Sequence, residues 1–134
     1  MYKQPLILVV EQNLNNLELL DSYLKKLNFS CICATKGLRG MILAQTHQPD
    51  LIILDMMLCD LNSSQVIDYL KHNKKTATIP IISVIPLASA QNMNCLCLTG
   101  ADDYITKPYD LSRLEIVINR HLHRVSTSNL GVAD

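Results

Sequence analysis

The sequence predicts an α/β fold, an open, doubly wound sheet of five parallel strands with helices on both faces. Three observations predict it. Five short runs rich in Ile, Leu and Val recur along the chain, the second and fifth less clean than the others, with the continuous apolar character of strands buried on both sides. Segments of helical periodicity fill the intervals, and the connections between them are short. Strand and helix therefore alternate, and right-handed crossovers then leave a parallel sheet covered on both faces.

The strands are predicted at Leu6 to Val10, Phe29 to Ala34, Leu51 to Leu54, Ile79 to Ile85 and Asp103 to Thr106. A first helix begins near Asn13 or Asn15, where an Asn side chain can cap free N–H groups. Leu17, Leu20, Leu24 and Leu27 form its apolar stripe, and Asp21 and Lys25 pair at i,i+4 on its wet side. Leu38, Met41 and Ile42 mark a second helix, which stops before the residue preceding Pro49. Ser63 or Ser64 caps a third, with Val66, Ile67 and Leu70 facing inward. A fourth, around Ala88 to Leu98, has Met93, Leu96 and Cys97 as a weak stripe and ends at Gly100. The last starts at Asp110, whose carboxylate caps it and suits the helix dipole, and carries Leu111, Leu114, Val117, Ile118 and Leu122. His121, His123 and Arg124 place cations at its C-terminal end; at i,i+2 the two histidines point apart, which argues against a metal pair.

Of the 134 residues, 49% are apolar, enough for one core without metal or disulfide staples. Residues 1–124 are expected to form a single domain, and the small, polar, aperiodic stretch 125–134 a flexible C-terminal tail. Twelve Lys and Arg balance twelve Asp and Glu, so no net field draws the chain to nucleic acid or an anionic membrane. The run Leu6 to Val10 is far too short for a membrane span or a signal-peptide core, and a cytoplasmic location is expected. The cysteines Cys31, Cys33, Cys59, Cys95 and Cys97 include two C-x-C pairs, without C-x-x-C spacing or a nearby His. They read as small apolar side chains in a reducing compartment rather than as metal or redox groups.

Open parallel sheets bind ligands at the carboxyl ends of their strands. Glu11 and Gln12 follow the first strand there, Asp55 the third, Pro86 the fourth, and Lys107-Pro108 the fifth. A carboxylate such as Asp55 can act as nucleophile toward a phosphoryl group when a cation neutralises the crowded oxygens. A hard ion such as Mg²⁺ takes one or two carboxylates plus water and phosphate oxygens, and Glu11 and Asp55 can supply two. Lys107 is then a point charge for the phosphoryl oxygens or a resting partner for Asp55. Two bland readings stand beside this one: Asp55 as a turn residue, and a structural salt bridge at the sheet edge.

The segments ILVVEQN at Ile7 to Asn13, PDLIILDMML at Pro49 to Leu58, PII at Pro80 to Ile82 and GADDYITKP at Gly100 to Pro108 resemble the response-regulator receiver family. The match is collinear from Leu6 to about Leu122. The resemblance implies a flavodoxin-like strand order 2-1-3-4-5 and a cis Lys107-Pro108 bond. It implies phosphotransfer to Asp55 from a sensor histidine kinase or phosphotransfer protein, and output to a downstream protein through the last two helices and last strand. It further implies that Lys107 assists, that Mg²⁺ is held by Glu11, Asp55 and the backbone carbonyl of Met57, and that Tyr104 is the aromatic switch. Such a chain is a signalling module rather than an enzyme, assisting at most its own phosphotransfer and dephosphorylation.

The sequence departs from that family in three places. Receivers carry two acids after the first strand, and the second, which touches the metal, is here Gln12, with a carbonyl oxygen but no charge. Losing a unit charge beside a divalent ion costs on the order of a few kcal/mol, so Mg²⁺ should bind weakly or not at all. Ile85 stands where the family's Thr or Ser switch hydroxyl belongs, and Ser83 lies roughly 6 to 7 Å deeper along the strand. The segment Cys59-Asp60-Leu61-Asn62-Ser63 replaces the usual Pro- and Gly-containing turn after Asp55, while Asp102 and Asp103 read as turn and cap residues. A working receiver and a phosphorylation-independent pseudo-receiver, an interaction module on the same fold, are therefore both open. A third reading, a flavin- or nucleotide-binding enzyme of similar topology, lacks its phosphate loop, because an acid and no Gly-rich segment follows the first strand.

Overall fold

A computed structural model describes residues 4–87 and 100–123. Five strands, β1 (Leu6–Val10), β2 (Ser30–Ala34), β3 (Leu51–Asp55), β4 (Ile81–Pro86) and β5 (Asp103–Lys107), form one sheet. Every pairing is parallel, in the order β2-β1-β3-β4-β5. Among the described residues four helices accompany it: α1 (Leu14–Lys26), α2 (Gly37–His47), α3 (Ser63–Lys71) and α4 (Leu111–Leu122). This is the doubly wound order that the sequence resemblance implied. The helix expected around Ala88 to Leu98, Arg124 and the tail 125–134 lie outside the described residues; Gly100, expected to end that helix, has the left-handed φ of 82°.

The sheet's two faces build two cores. Ile7, Val9, Ile53, Val84 and Ile105 pack beneath α1 and α4, and Leu8, Val10, Ile52, Leu54 and Ile81 beneath α2 and α3. Each fully buried aliphatic side chain contributes roughly 1.5 to 3 kcal/mol, so the central strands hold the domain together. Asp50 and Asp102 fasten the strand entries: their Oδ2 atoms accept from the Leu6 and Ile81 N–H groups at 2.7 and 2.8 Å.

Several local expectations need correction. β2 starts at Ser30 and β4 at Ile81, while β3 and β5 extend to Asp55 and Lys107, so both residues end strands rather than follow them. α2 turns Gly37, Gly40 and Ala44 inward and leaves Leu38 and Ile42 exposed. A Cβ on Gly40 would stand 2.7 Å from Val10 Cγ2, so this helix lies too close to the sheet for large side chains on its inner face. Asn62, not a serine, caps α3 by accepting from Ser64 N–H at 2.9 Å. His121 does more than offset a dipole, because its Nε2 lies 2.9 Å from Asp103 Oδ2. The expectations for α1 and α4 match: Asn13 and Asp110 cap them, and Asp21 pairs with Lys25 at 3.0 Å.

Candidate functional site

Strand periodicity assembles the site. Side chains two apart share a face, so Ile7 and Val9 lead to Glu11, Leu51 and Ile53 lead to Asp55, and Ile105 leads to Lys107. The Glu11 N–H still bonds to Ala34 O at 3.0 Å, carrying the β1 ladder one residue past its end. All three polar side chains therefore emerge from the same core face at the carboxyl edge of the sheet.

They meet there. Lys107 Nζ lies 2.9 Å from Glu11 Oε1 and 3.1 Å from Asp55 Oδ2. Both acids are only 1% exposed. Each has further donors: Asp55 Oδ1 accepts from Met57 N–H at 2.9 Å, and Glu11 accepts from Asn13 N–H at 3.0 Å and from the Tyr109 hydroxyl at 2.7 Å. With Glu11, Asp55 and Lys107 ionised, the cluster carries one net negative charge.

The environment separates the two acids. Burial pushes Asp55 up and the neighbouring Glu11 carboxyl pushes it further, more than the Met57 N–H and Lys107 pull it back. Burial also works against Glu11, but Asn13, Asp55, Lys107 and Tyr109 together hold it below the ordinary glutamate value. Lys107 loses solvation yet is held above its ordinary value by the two carboxylates. Burial, then the Glu11 acceptor, pushes the Tyr109 phenol up. Glu11 is thus the fixed anion, and Asp55 the acid more easily discharged.

The loop after Asp55 follows a path the sequence did not reveal. α2 begins without a cap from its own N-cap residue, Lys36. Asp60 supplies one from a distance, accepting from Gly37 N–H at 2.8 Å and Leu38 N–H at 3.0 Å, which holds its carboxyl below the usual range. Ser63 Oγ, buried at the start of α3, donates to the Asp55 carbonyl oxygen at 2.8 Å. Asp60 and Ser63 thus fix both ends of the turn that carries Met57, whose side chain is exposed.

The remaining predicted positions are placed as follows. Gln12 is exposed and lines a surface depression with Thr35, Lys36, Cys59 and Asp60. Ile85 is buried near the end of β4, one residue beyond Val84, the register partner of Asp55, and pairs with Thr106. Ser83 is fully buried, and its Oγ has no hydrogen-bond partner among the described residues. Tyr104 is half-buried in β5 opposite Ser83. The Lys107-Pro108 peptide bond is cis. Asp102 accepts from Lys71 Nζ at 2.7 Å, and Asp103 pairs with Arg120 and His121, so both serve structure rather than the cluster. Sequence reasoning passed over Tyr109, although an aromatic hydroxyl two residues past a site lysine was a signal.

The donor set suits a hard divalent ion. Two buried carboxylates converge with net negative charge, beside a turn whose Met57 carbonyl belongs to the same segment. The residue that departs from such a set is Gln12.

A family model described as the response regulator receiver domain matches residues 7–119. Among curated proteins, RpaA of Synechocystis, a DNA-binding dual master transcriptional regulator, is 32% identical over 120 residues, covering 90% of this chain and 50% of the relative. Hybrid signal transduction histidine kinase G of Dictyostelium discoideum is 34% identical, over 86% of this chain and 3% of its own length. The polar-differentiation response regulator DivK of Brucella ovis is 28% identical, over 87% of this chain and 94% of its own. The chain thus spans half or less of the first two relatives and nearly all of the third. Among solved structures, CheY4 of Vibrio cholerae superposes with a TM-score of 0.82 at 17% identity, covering 89% of this chain and 99% of that one. The receiver domain of the sensor histidine kinase PA1611 of Pseudomonas aeruginosa, with a magnesium ion coordinated in its active-site cleft, gives 0.81 at 23% identity, over 90% and 99%.

Proposed function

This chain belongs to the response regulator receiver family of two-component signalling, and from that premise we propose that Asp55 is its phosphoacceptor. The observation that carries the proposal is the buried cluster in which Asp55 and Glu11 share Lys107 at about 3 Å. A lysine that merely stabilised the fold would need one acid. Two acids and one base leave a negative charge that favours a cation, as phosphoryl transfer to a carboxylate requires.

Asp55 forms the new bond to phosphorus through a carboxylate oxygen, while the donor's leaving group, a histidine nitrogen in a phosphorelay, keeps the electron pair of the broken bond. Lys107 releases Asp55 Oδ2 to the incoming group and stays beside the product as a point charge. Met57 N–H holds Oδ1 and fixes the carboxylate plane, and Ser63 fixes the backbone beneath it. Glu11, Asp55 and the Met57 carbonyl would hold Mg²⁺, which when bound neutralises the phosphoryl oxygens. With neutral Gln12 where receivers place a second acid, that ion binds weakly.

The partners that this chemistry fits are a sensor histidine kinase or phosphotransfer protein upstream and a protein downstream, met through β5 and α4. Relatives that are response regulators or parts of histidine kinases support the first, and the balanced charge supports a protein rather than a nucleic acid as direct partner. Among the described residues no helix is long and apolar enough to cross a membrane. A cytoplasmic site of action fits the phosphorelay role. Ile85 offers no hydroxyl to the phosphoryl group, so any signal to Tyr104 runs through packing between β4 and β5.

Incubation with Mg²⁺ and acetyl phosphate, read by intact mass, tests the proposal. One phosphoryl adduct that disappears in Asp55→Asn is expected. An undiminished adduct in Asp55→Asn, or none with acetyl phosphate or a phosphohistidine donor, contradicts it.

A further inference from the structure

On the far side of the sheet from β5, the edge strand β2 places Cys31 and Cys33 two residues apart on one face, toward α1. Their Sγ atoms are 3.8 Å apart, both thiols are free, and both are half-buried. α1 brings Asp21 to the same spot, with Oδ1 3.8 Å from Cys33 Sγ. The three ligand atoms all lie within 4.8 Å of one another. We propose that Asp21, Cys31 and Cys33 form a binding site for a thiophilic d10 cation of the zinc class, with two thiolates and one carboxylate as ligands and water in the fourth position.

The geometry is already near that of a bound state. Two thiolates at about 2.3 Å from a tetrahedral zinc stand about 3.8 Å apart, the separation found between these sulfurs. A disulfide, by contrast, needs the sulfurs at about 2.05 Å, so the pair must close much further to oxidise than to ligate. The carboxylate is oriented for the role, because Lys25 Nζ holds its other oxygen, Oδ2, at 3.0 Å. Charge balances too: two thiolates and a carboxylate carry three negative charges, which the divalent ion and Lys25 neutralise. C-x-C spacing without histidine argued against a metal in the sequence because the third ligand comes from another element.

The test titrates the full reduced chain with Cd²⁺, reading the thiolate-to-cadmium charge-transfer absorbance and its competition by Zn²⁺. The Cys95→Ser/Cys97→Ser variant is titrated in parallel, since that second C-x-C pair could bind the same ion. Expected in both proteins is a band of two-thiolate amplitude that Zn²⁺ abolishes. It is lost in Cys31→Ser/Cys33→Ser, and Asp21→Asn keeps the band while weakening affinity at least about tenfold. Asp21→Asn leaves the sulfurs in place, and circular dichroism verifies that each variant is folded. A band that survives loss of Cys31 and Cys33, a band absent once Cys95 and Cys97 are replaced, unchanged affinity in folded Asp21→Asn, or no band at all overturns the proposal.

Discussion

The Tyr109 hydroxyl donates to Glu11 Oε1 at 2.7 Å, joining the segment after β5 to the end of β1. With Lys107 and the Asn13 N–H, it surrounds Glu11 with donors and keeps the carboxylate charged although it is buried. Tyr109→Phe removes that donor from a charged acceptor and should cost about 1.5 kcal/mol of stability at neutral pH. Urea unfolding measures the loss, and an equal midpoint for both proteins contradicts the role given to the hydroxyl.

Lys107→Met leaves two buried carboxylates facing each other without a cation. A loss of about 3 kcal/mol at pH 7 is expected. The sign of its pH dependence follows from the acids: deprived of Lys107, the folded state takes up a proton more readily than the unfolded chain, so the deficit shrinks as pH falls toward the carboxylate range. In the wild type, the raised Lys107 value supplies stability that is complete below the ordinary 10.5 and is lost as pH rises through the folded value. Lys107→Met should lack that alkaline limb. Denaturation curves at several pH values check both limbs.

Gln12→Asp restores a charge at an exposed position, where it costs the fold little. It should raise Mg²⁺ affinity at least about tenfold, or about 1.4 kcal/mol. Mg²⁺-dependent amide shifts of Met57 and its neighbours give the affinity. Equal affinities would show that Gln12 is not the reason for weak binding.

Gly40→Ala tests how closely α2 packs on the sheet. Helix propensity alone favours Ala by about 1 kcal/mol, but the added Cβ would stand 2.7 Å from Val10 Cγ2. Net destabilisation of about 1 to 2 kcal/mol is expected. Val10→Ala should relieve part of it, so a double-mutant cycle in urea should show coupling between the two sites.

The fold was legible because both its cues are local. Uninterrupted apolar runs such as Leu51-Ile52-Ile53-Leu54 mark strands buried on both faces, and Asn13 and Asp110 announce helix starts in their own segments. Glu11, Asp55 and Lys107 were legible as a set because each ends or follows a strand in a parallel sheet, where strand ends share one edge. What stayed hidden depends on partners far along the chain. Leu38, Met41 and Ile42 mark α2 in the sequence without saying which face turns inward, and the approach of Val10 decides in favour of Gly40 and Ala44. Asp60 caps a helix 22 residues before it, a relation that no local pattern encodes. Tyr109 meets Glu11 across 98 residues, and Asp21 meets Cys33 only once α1 has packed on β2.

The central claim is that the buried carboxylate of Asp55 is the atom group that receives phosphorus. Phosphorylation followed by borohydride reduction and peptide mapping tests it most directly, because an aspartyl phosphate is reduced to homoserine where it formed. Homoserine at position 55, absent in Asp55→Asn, is the predicted result. Homoserine at any other aspartate, or a phosphorylated chain with unmodified Asp55, would contradict the account.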